Sequence, residues 1–225
     1  MSLHYTKFIM RIILIISAVI ILIVFSNYKF LRNYQIEDIK IINNKYLSKD
    51  KILNKISLNN KNFFSLNLKN IGDQVLSIKE VQSVRLEKRF NGDIYLFIEE
   101  KRPISFWIKE DKKYLIDSEG QILEMKKSFF NNLIIVKGED ANIKASRIIE
   151  KINIFPKIKV NLSYLEFEGK YRWNLYFKEN IIVKLPYKDI EKALNFLSYF
   201  LMNKDFKLNK FKVIDMRVNG RVFLR

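Results

Sequence analysis

The hydrophobic pattern at the start of the chain predicts a membrane-spanning helix. Residues 8–28 are apolar almost without interruption and follow a short tail at residues 1–7. A helix of this length crosses the hydrocarbon core of a bilayer, about 30 Å, at about 1.5 Å per residue. The sequence therefore predicts one transmembrane helix over residues 8–28, with the bulk of the chain on one side of the membrane.

A cleaved signal peptide is the rival interpretation of this segment. Lys7 and Arg11 supply the basic start of a signal peptide, and the apolar run supplies its core. No small-residue cleavage motif follows, because residues 25–29 read Phe-Ser-Asn-Tyr-Lys. This flank favours an uncleaved signal-anchor. The flanking charges alone orient it weakly, and a short cytoplasmic tail with the large part outside is the simpler topology.

Residues 34–103 show a pattern that predicts a small β-α-α-β-β domain. Residues 36–42 alternate as a half-buried strand, and Ser48 is placed to cap a short helix. Residues 81–89 and 94–100 alternate as two strands joined by a turn at 90–93. A second helix is predicted by apolar residues at helical spacing, namely Leu66, Leu68, Ile71, Val75 and Leu76.

Residues 104–225 predict a second domain that is rich in strands and has two helices. One helix is expected at residues 140–155, where Asp140 is placed to cap it and Pro156 to end it, and the other at 188–202. A final hairpin is expected to turn at Asn219 and Gly220. The two strands of this hairpin are predicted at residues 211–216 and 221–225. The earlier strands are predicted at residues 133–136, 162–168, 173–177 and 181–185. The predicted fold class is therefore α+β: one N-terminal transmembrane helix, a β-α-α-β-β domain, and a mixed β-rich domain with two helices.

The net charge of +17 changes this picture little. The 41 Lys and Arg residues are mixed with 24 Asp and Glu residues along the whole folded part. A nucleic-acid-binding domain usually concentrates its basic side chains on one face, with aromatic groups among them. Joint over-use of Ile, Asn and Lys is typical of an AT-rich genome, so the charge is interpreted as solvated surface. A basic domain near anionic lipid headgroups would also gain some attraction.

The residue types leave little room for catalysis. The chain has no cysteine, and its one histidine, His4, lies in the N-terminal tail, which excludes thiolate chemistry and most zinc and histidine chemistry. The six glycines stand singly, so no phosphate-binding loop is present. Glu99 and Glu100 point to opposite faces of a strand and cannot flank one bond. Trp107 and Trp173 are expected in a core or an interface. We predict no enzyme activity, no cofactor and no metal site.

Several short motifs, taken in order, resemble the FtsQ/DivIB family of bacterial cell-division proteins. The β-α-α-β-β pattern resembles a POTRA domain, and residues 100–107, Glu-Lys-Arg-Pro-Ile-Ser-Phe-Trp, are close to the E-x-x-P-x-A-x-W run of the family. Residues 89–94 occupy the position where the family usually has an Arg-Trp-Pro-like turn ahead of a strand. Residues 114–120 resemble the family's "lid-x-x-G" hairpin. Residues 173–175, 182–186 and 213–217 are similar to its W-x-L, V-x-L and i-D-l-R runs. Asn91 replaces the proline of the turn, the tail is very short, and the chain ends at Arg225.

The resemblance implies a bitopic scaffold of the division machinery at the septum, in the inner membrane, with most of the chain in the periplasm. FtsQ-like proteins hold the single-span partners FtsB and FtsL through their final strand, which in this chain is expected to form a sheet edge. A basic side chain before the Trp173 strand would face an acidic partner group. Other division proteins would bind the POTRA-like domain. Carried over residue by residue, the partner-binding positions are Lys170, Val218, Val222, Phe223 and Arg225.

Other functions stay open at this level. The same architecture suits a membrane-anchored POTRA-type chaperone or translocation accessory that binds extended polypeptides at a strand edge. A tethered protein that binds or cleaves peptidoglycan is a third hypothesis, although no carboxylate or metal constellation supports it. A nucleic-acid-binding protein is the fourth, and strong salt dependence of binding would be its signature.

Overall fold

The chain divides into two compact units, Met1–Glu100 and Lys101–Arg225. The computed structural model describes residues 2–58, 61–202, 210–218 and 220–225. The predicted turn residue Asn219 therefore lies outside the described residues. The α+β fold class is confirmed, with an N-terminal apolar helix, a β-α-α-β-β domain and a β-rich C-terminal region.

The first helix, α1, runs over Ser2–Asn33. Its stretch Phe8–Asn27 has a mean hydropathy of 3.1, and none of it is buried within the protein, so its length and composition suit a membrane span. Residues 2–33 contain neither Gly nor Pro, so nothing in the sequence interrupts the helix where the apolar run ends. The helix therefore continues past Asn27 as far as Asn33.

The rest of the first unit has the predicted β-α-α-β-β order. A three-stranded sheet has the order β1-β3-β2, with β1 parallel and β2 antiparallel to the central strand. Ser48 caps the first short helix as predicted, because its Oγ accepts a hydrogen bond from the Lys51 N–H at 3.2 Å. The elements are β1 (Ile39–Ile42), α2 (Lys49–Leu53), α3 (Leu68–Leu76), β2 (Val81–Lys88) and β3 (Ile94–Glu100).

The alternation along β3 separates a core face from an open face. Ile94, Leu96 and Ile98 are buried in the core that the two helices cover. Tyr95 and Phe97 point to the other face, where they are half-buried. Strand β1 begins three residues later than the pattern predicts, because the chain before it pairs elsewhere, through a bridge between Gln35 and Asn62.

The second unit is a mixed sheet with helices on one face. The described strands follow the order β12-β11-β10-β9-β8-β7-β4-β5-β6. The strands are β4 (Ser105–Lys109), β5 (Lys112–Ile116), β6 (Ile122–Leu123), β7 (Ile134–Lys137), β8 (Leu162–Glu168), β9 (Arg172–Phe177), β10 (Ile182–Lys184), β11 (Val213–Asp215) and β12 (Phe223–Leu224). The helices are α4 (Ala141–Asn153), α5 (Pro156–Asn161) and α6 (Ile190–Met202).

One continuous core joins the sheet to these helices. Every second residue of the central strands points into it, including the fully buried Leu165, Leu175 and Val183. From the helices, Ile148 and Leu194 complete the same core. Trp107 and Trp173 also belong to it, so both tryptophans are core residues, as predicted.

The structure corrects two predictions in this unit. Two helices were expected, but the described residues contain a third, α5, which begins at Pro156. Proline is favoured at the first position of a helix because its missing N–H would have no helical partner there, so Pro156 starts a helix as well as separating it from α4. Asp140 precedes α4 with a φ of 58°, and its side chain makes no capping hydrogen bond. Its carbonyl oxygen accepts from the Ile143 N–H instead, at 3.2 Å.

Candidate functional site

The last strand, β12, lies at the end of the sheet. It pairs antiparallel with β11, with Leu224 opposite Ile214 and Phe223 opposite Asp215. The Arg225 N–H donates to the Val213 carbonyl at 3.0 Å, and the Val213 N–H donates back to the Arg225 carbonyl at 3.0 Å. Among the described residues no strand lies along the other side of β12. The predicted sheet edge is therefore present.

The pairing decides which backbone groups face outward. In an antiparallel ladder, residues alternate between those that bond to the partner strand and those whose N–H and C=O point away from it. Arg225 bonds to β11, so the N–H and C=O of Leu224 point to the open side. Those of Val222, two residues earlier, point the same way. These groups can pair with a further strand.

An apolar groove runs between β12 and α6. Leu224 and Val222 lie against Phe196 and Phe200 of α6, whose ring centroids are 4.4 Å apart. The groove opens towards the β11–β12 turn into a cavity of about 270 Å³, which Val218 also lines. Leu224 is 40% exposed and Val218 50%, so apolar surface meets solvent beside the free backbone groups.

Phe223 occupies the opposite face of β12, away from α6. It is 45% exposed and lies across from Asp215. The Arg217 guanidinium donates to both carboxylate oxygens of Asp215, at 2.5–3.0 Å. These hydrogen bonds hold the pKa of the Asp215 carboxyl below its ordinary value. The ion pair therefore lies directly across from Phe223 in the strand register.

Lys170 lies in the tight turn between β8 and β9. Gly169 and Lys170 have φ values of 58° and 65°, and the turn is closed by the Tyr171 N–H, which donates to the Glu168 carbonyl at 3.3 Å. The lysine side chain is exposed and lines a cleft of about 680 Å³. Three further basic residues line this cleft from one side of α4. Aromatic and acidic side chains complete the lining, including Tyr171, Trp173, Tyr187, Asp189 and Glu191. The basic residues from α4 are Lys144, Arg147 and Lys151.

The strand directions bring this turn to the same end of the sheet as the β11–β12 turn. Strand β10 is antiparallel to β9, and β11 is parallel to β10. The Leu185 N–H donates to the Trp173 carbonyl at 3.0 Å, and the Met216 N–H donates to the Lys184 carbonyl at 3.0 Å. The start of β9 and the end of β11 therefore lie at one end of the sheet.

Four of the five sequence-predicted positions fall in this region. Lys170, Val218 and Val222 lie at that end of the sheet, and Phe223 starts the strand that leaves it. Arg225 lies at the opposite end of β12, beside the start of β11. Asp189 lines both the cleft and the smaller cavity, so the basic and apolar surfaces adjoin.

Sequence reasoning missed the helix residues of both surfaces. Phe196 and Phe200 are spaced four apart on α6, outside the buried stripe formed by Leu194 and Leu197. A second apolar stripe on an otherwise complete amphipathic helix was the available signal. On α4 the signal was the basic spacing at residues 144, 147 and 151, which places those side chains on one face.

The arrangement supplies binding groups. Among residues 2–58, 61–202, 210–218 and 220–225, no three His, Asp or Glu side chains come close enough to hold a metal ion. The site offers backbone donors and acceptors on one edge, an apolar groove beside them, and a basic cleft next to the groove. An extended polypeptide with apolar and acidic side chains matches those three features.

Comparison with known proteins identifies the family. The family model for the C-terminal domain of cell division protein FtsQ/DivIB matches residues 105–217, and the model for the FtsQ-type POTRA domain matches residues 34–101. The chain therefore belongs to the FtsQ/DivIB family of cell division proteins. The resemblance seen in the sequence is confirmed, and the septum fits as the place where such a protein acts.

Several known proteins are similar to this chain. Cell division protein FtsQ of Rickettsia prowazekii is 28% identical over 195 residues, which cover 85% of this chain and 72% of that protein. The FtsQ protein of Rickettsia bellii is 31% identical over 163 residues, covering 72% of this chain and 60% of that protein. The solved extracytoplasmic domain of DivIB from Geobacillus stearothermophilus matches with a TM-score of 0.34 and 14% identity, over 48% of this chain and 99% of that one.

Proposed function

We propose that this protein is a bitopic scaffold of the bacterial cell-division machinery that binds FtsB- and FtsL-like single-span proteins at the septum. Its N-terminus is cytoplasmic, α1 crosses the inner membrane, and both folded units lie in the periplasm. Family membership supports the role in division, and the apolar stretch of α1 supports the single span. The observation that carries the binding proposal is the position of β12 at the end of the sheet.

Binding begins with strand addition. A partner strand pairs with the outward N–H and C=O groups of Leu224 and Val222, and these main-chain hydrogen bonds supply affinity. Alternate side chains of the added strand then lie on the α6 side, over Phe196 and Phe200. Apolar residues at those positions bury the groove, so the partner needs an alternating sequence at its bound segment.

Lys170 and the basic cleft select an acidic segment next to that strand. Together with Lys144 and Arg147 of α4, Lys170 presents positive charge at the end of the sheet where the strand enters the groove. Charges at the rim of an interface act mainly on the association rate and on the choice of partner. The partner segment that reaches the cleft therefore carries Asp or Glu.

The test uses the full-length chain, co-purified in detergent with FtsB- and FtsL-like proteins. Leu224→Pro removes one outward N–H, and a proline is tolerated on an edge strand when its nitrogen faces solvent. Leu224→Ala trims the same side chain but keeps the N–H. We expect Leu224→Pro to lose the partners and Leu224→Ala to keep partial capture. Equal capture by both variants would contradict strand addition at β12, as would full capture by a chain that stops after residue 219.

A chaperone or translocation accessory is the second candidate, and the same edge supports it. Main-chain hydrogen bonds do not depend on the side chains of the added strand, so an open strand edge can bind many extended peptides. The distinction lies in selectivity, which the groove and the basic cleft would supply for a dedicated partner. Binding of unrelated extended peptides as tightly as the FtsB-like segment would favour the chaperone role.

A further inference from the structure

The turn between β2 and β3 presents an aromatic ring to solvent. Phe90 is 93% exposed, at a turn whose next positions are Asn91 and Gly92. Turn tips usually carry Gly, Asn, Asp, Ser or Pro, for which water is a good environment. A large apolar ring at such a tip gains free energy only when another surface covers it.

This turn lies at the end of the unit from which α1 leaves. The Tyr34 hydroxyl, directly after α1, donates to the Phe90 carbonyl. The Glu37 N–H donates to the Gly92 carbonyl at 3.1 Å, and the Ile94 N–H donates to the Asp38 carbonyl at 2.9 Å. Because β1 and β3 run parallel from this point, the turn before β3 and the chain after α1 share one end of the sheet.

A second exposed ring lies at the same end. Phe64 is 43% exposed, and its ring centroid is 5.5 Å from that of Tyr34. The loop that carries it is joined to the helix, because the Asn62 side-chain amide donates to the Leu31 carbonyl at 2.7 Å. The Lys88 ammonium fastens the loop to β2 by donating to the Phe63 carbonyl at 2.7 Å. Both rings therefore sit on a platform fixed to the last turn of α1.

The length of α1 places this platform at the level of the lipid headgroups. The span Phe8–Asn27 covers about 30 Å at about 1.5 Å per residue, which is the thickness of the hydrocarbon core. From Asn27 to Asn33 the helix adds only about 9 Å. Headgroups extend about 5–7 Å on each side of the core, so the helix ends only a few ångströms beyond them, and rings at this end of the unit lie within reach of the headgroups.

We propose that Phe64 and Phe90, the anchor-proximal tip, insert into the headgroup region of the bilayer and hold the POTRA-type domain against the membrane. Aromatic rings are favoured at this depth, and the exposed Lys61 and Arg89, which precede Phe64 and Phe90 by three residues and one residue in the chain, match anionic headgroups. Arg89 also pairs with Glu87, at 3.0 Å. The inference rests on α1 as the membrane span, which belongs to the proposed function, and is independent of the binding edge on β12.

The test introduces a tryptophan into the full-length chain in vesicles of phosphatidylethanolamine and phosphatidylglycerol with brominated acyl chains. Phe90→Trp keeps an aromatic ring at the tip, and the unsubstituted chain gives the background of the two native tryptophans. Leu76→Trp is the matched control, since Leu76 is 46% exposed and ends α3, the helix that precedes β2, whereas Phe90 lies in the turn after β2. Ile20→Trp reports on α1.

We expect the added emission of Phe90→Trp to be quenched by the brominated lipid and shielded from aqueous iodide, and that of Leu76→Trp to behave oppositely. Adding Phe64→Asp to Phe90→Trp should reduce the lipid quenching by about half. If iodide quenches the tryptophans at positions 90 and 76 equally, the inference is overturned. It is also overturned if neither iodide nor brominated lipid quenches the tryptophan at position 90, because that result indicates burial against protein. If Ile20→Trp is not quenched by lipid, the membrane span fails as well, whereas quenching at 20 without quenching at 90 removes this inference alone.

Discussion

Strands β2 and β12 both lie at the edge of a sheet, but only β12 resembles a binding surface. Strand β2 has eight residues, an irregular register between Val81 and Ser83, and charged side chains along it, such as the Arg85–Glu87 ion pair. Charges and bulges are the usual protection of an edge against pairing with another chain. Strand β12 carries Phe223 and Leu224, both exposed, beside an apolar groove. Whether an edge is open to a partner is thus set by the side chains that flank its backbone.

The largest expected effect comes from placing a charge on the open edge. Leu224→Asp puts a carboxylate against Phe196 and Phe200, where it has no partner within the groove. We expect the dissociation constant for an FtsB-like partner to rise about 100-fold, or about 2.7 kcal/mol. The matched change on the protected edge, Gln82→Asp in β2, should leave affinity unchanged. Binding titrations with the purified full-length chain compare the two, and equal losses would remove the distinction between the edges.

The next effect separates stability of the first unit from binding by the second. The Glu100 carboxylate accepts backbone N–H groups from Lys45, Tyr46 and Leu47, at 2.8–3.0 Å. Glu100→Ala leaves these donors without their acceptor and should destabilise the first unit by about 2–3 kcal/mol.

Glu99→Ala is the control. The Glu99 carboxylate accepts a hydrogen bond from the exposed Ser83 hydroxyl, so this substitution should lower the free energy of unfolding by less than about 1 kcal/mol. Urea unfolding measures both variants. Partner capture should survive in each, because the binding edge belongs to the second unit. Loss of capture in Glu100→Ala at temperatures where the second unit stays folded would show that the first unit takes part in binding.

Acid should weaken both units through one carboxylate in each. Hydrogen bonding to Lys40 lowers the pKa of Asp93 in the first unit, and hydrogen bonding to Arg217 lowers that of Asp215 beside β12. A carboxyl whose pKa is depressed by folding contributes stability above its unfolded pKa, ordinarily near 3.8, and loses it as pH falls through the folded value.

The corresponding variants are Asp93→Asn and Asp215→Asn, each of which should flatten the acid limb of the unfolding free energy measured against pH. The decline of partner affinity below about pH 4 should also be smaller in Asp215→Asn, because the Asp215–Arg217 pair lies directly across from Phe223. An unchanged acid limb in both variants would assign the decline to other groups.

The smallest expected effect concerns the basic cleft. Lys170→Glu should lower the association rate about three- to tenfold at low salt, with little change in the dissociation rate, because rim charges steer encounter. Lys178→Glu, an exposed position just after β9 at the other end of that strand, is the matched control. Stopped-flow association at two salt concentrations distinguishes them. An equal effect of both substitutions would reduce the role of Lys170 to that of net charge.

Much of this fold follows from local sequence pattern. The alternation along β3 identifies its core face, and Ser48 marks a helix start, because both signals depend on neighbouring residues. The place of β7 between β4 and β8 has no local signal, since parallel pairing joins segments far apart in sequence. The start of α5 at Pro156 was misread because proline both ends and begins helices.

The candidate site likewise has features that the local sequence predicts and features that depend on contacts between distant segments. That β12 lies at a sheet edge was expected from its place in the chain, and the five carried-over positions remain predictions as partner contacts. The groove needed the structure, because Phe196 meets Leu224 only after α6 packs beside the final hairpin. The cleft needed it as well, because Lys144 and Lys170 come from different elements whose approach no sequence spacing encodes.

Backbone hydrogen exchange tests the central claim most directly. The full-length chain is compared with and without an FtsB-like partner, with exchange resolved to single residues of β12. If a strand adds to this edge, the N–H groups of Val222 and Leu224 gain strong protection, whereas that of Arg225, which already bonds to Val213, changes little. Unchanged exchange at Val222 and Leu224 while the partner is bound would contradict the account.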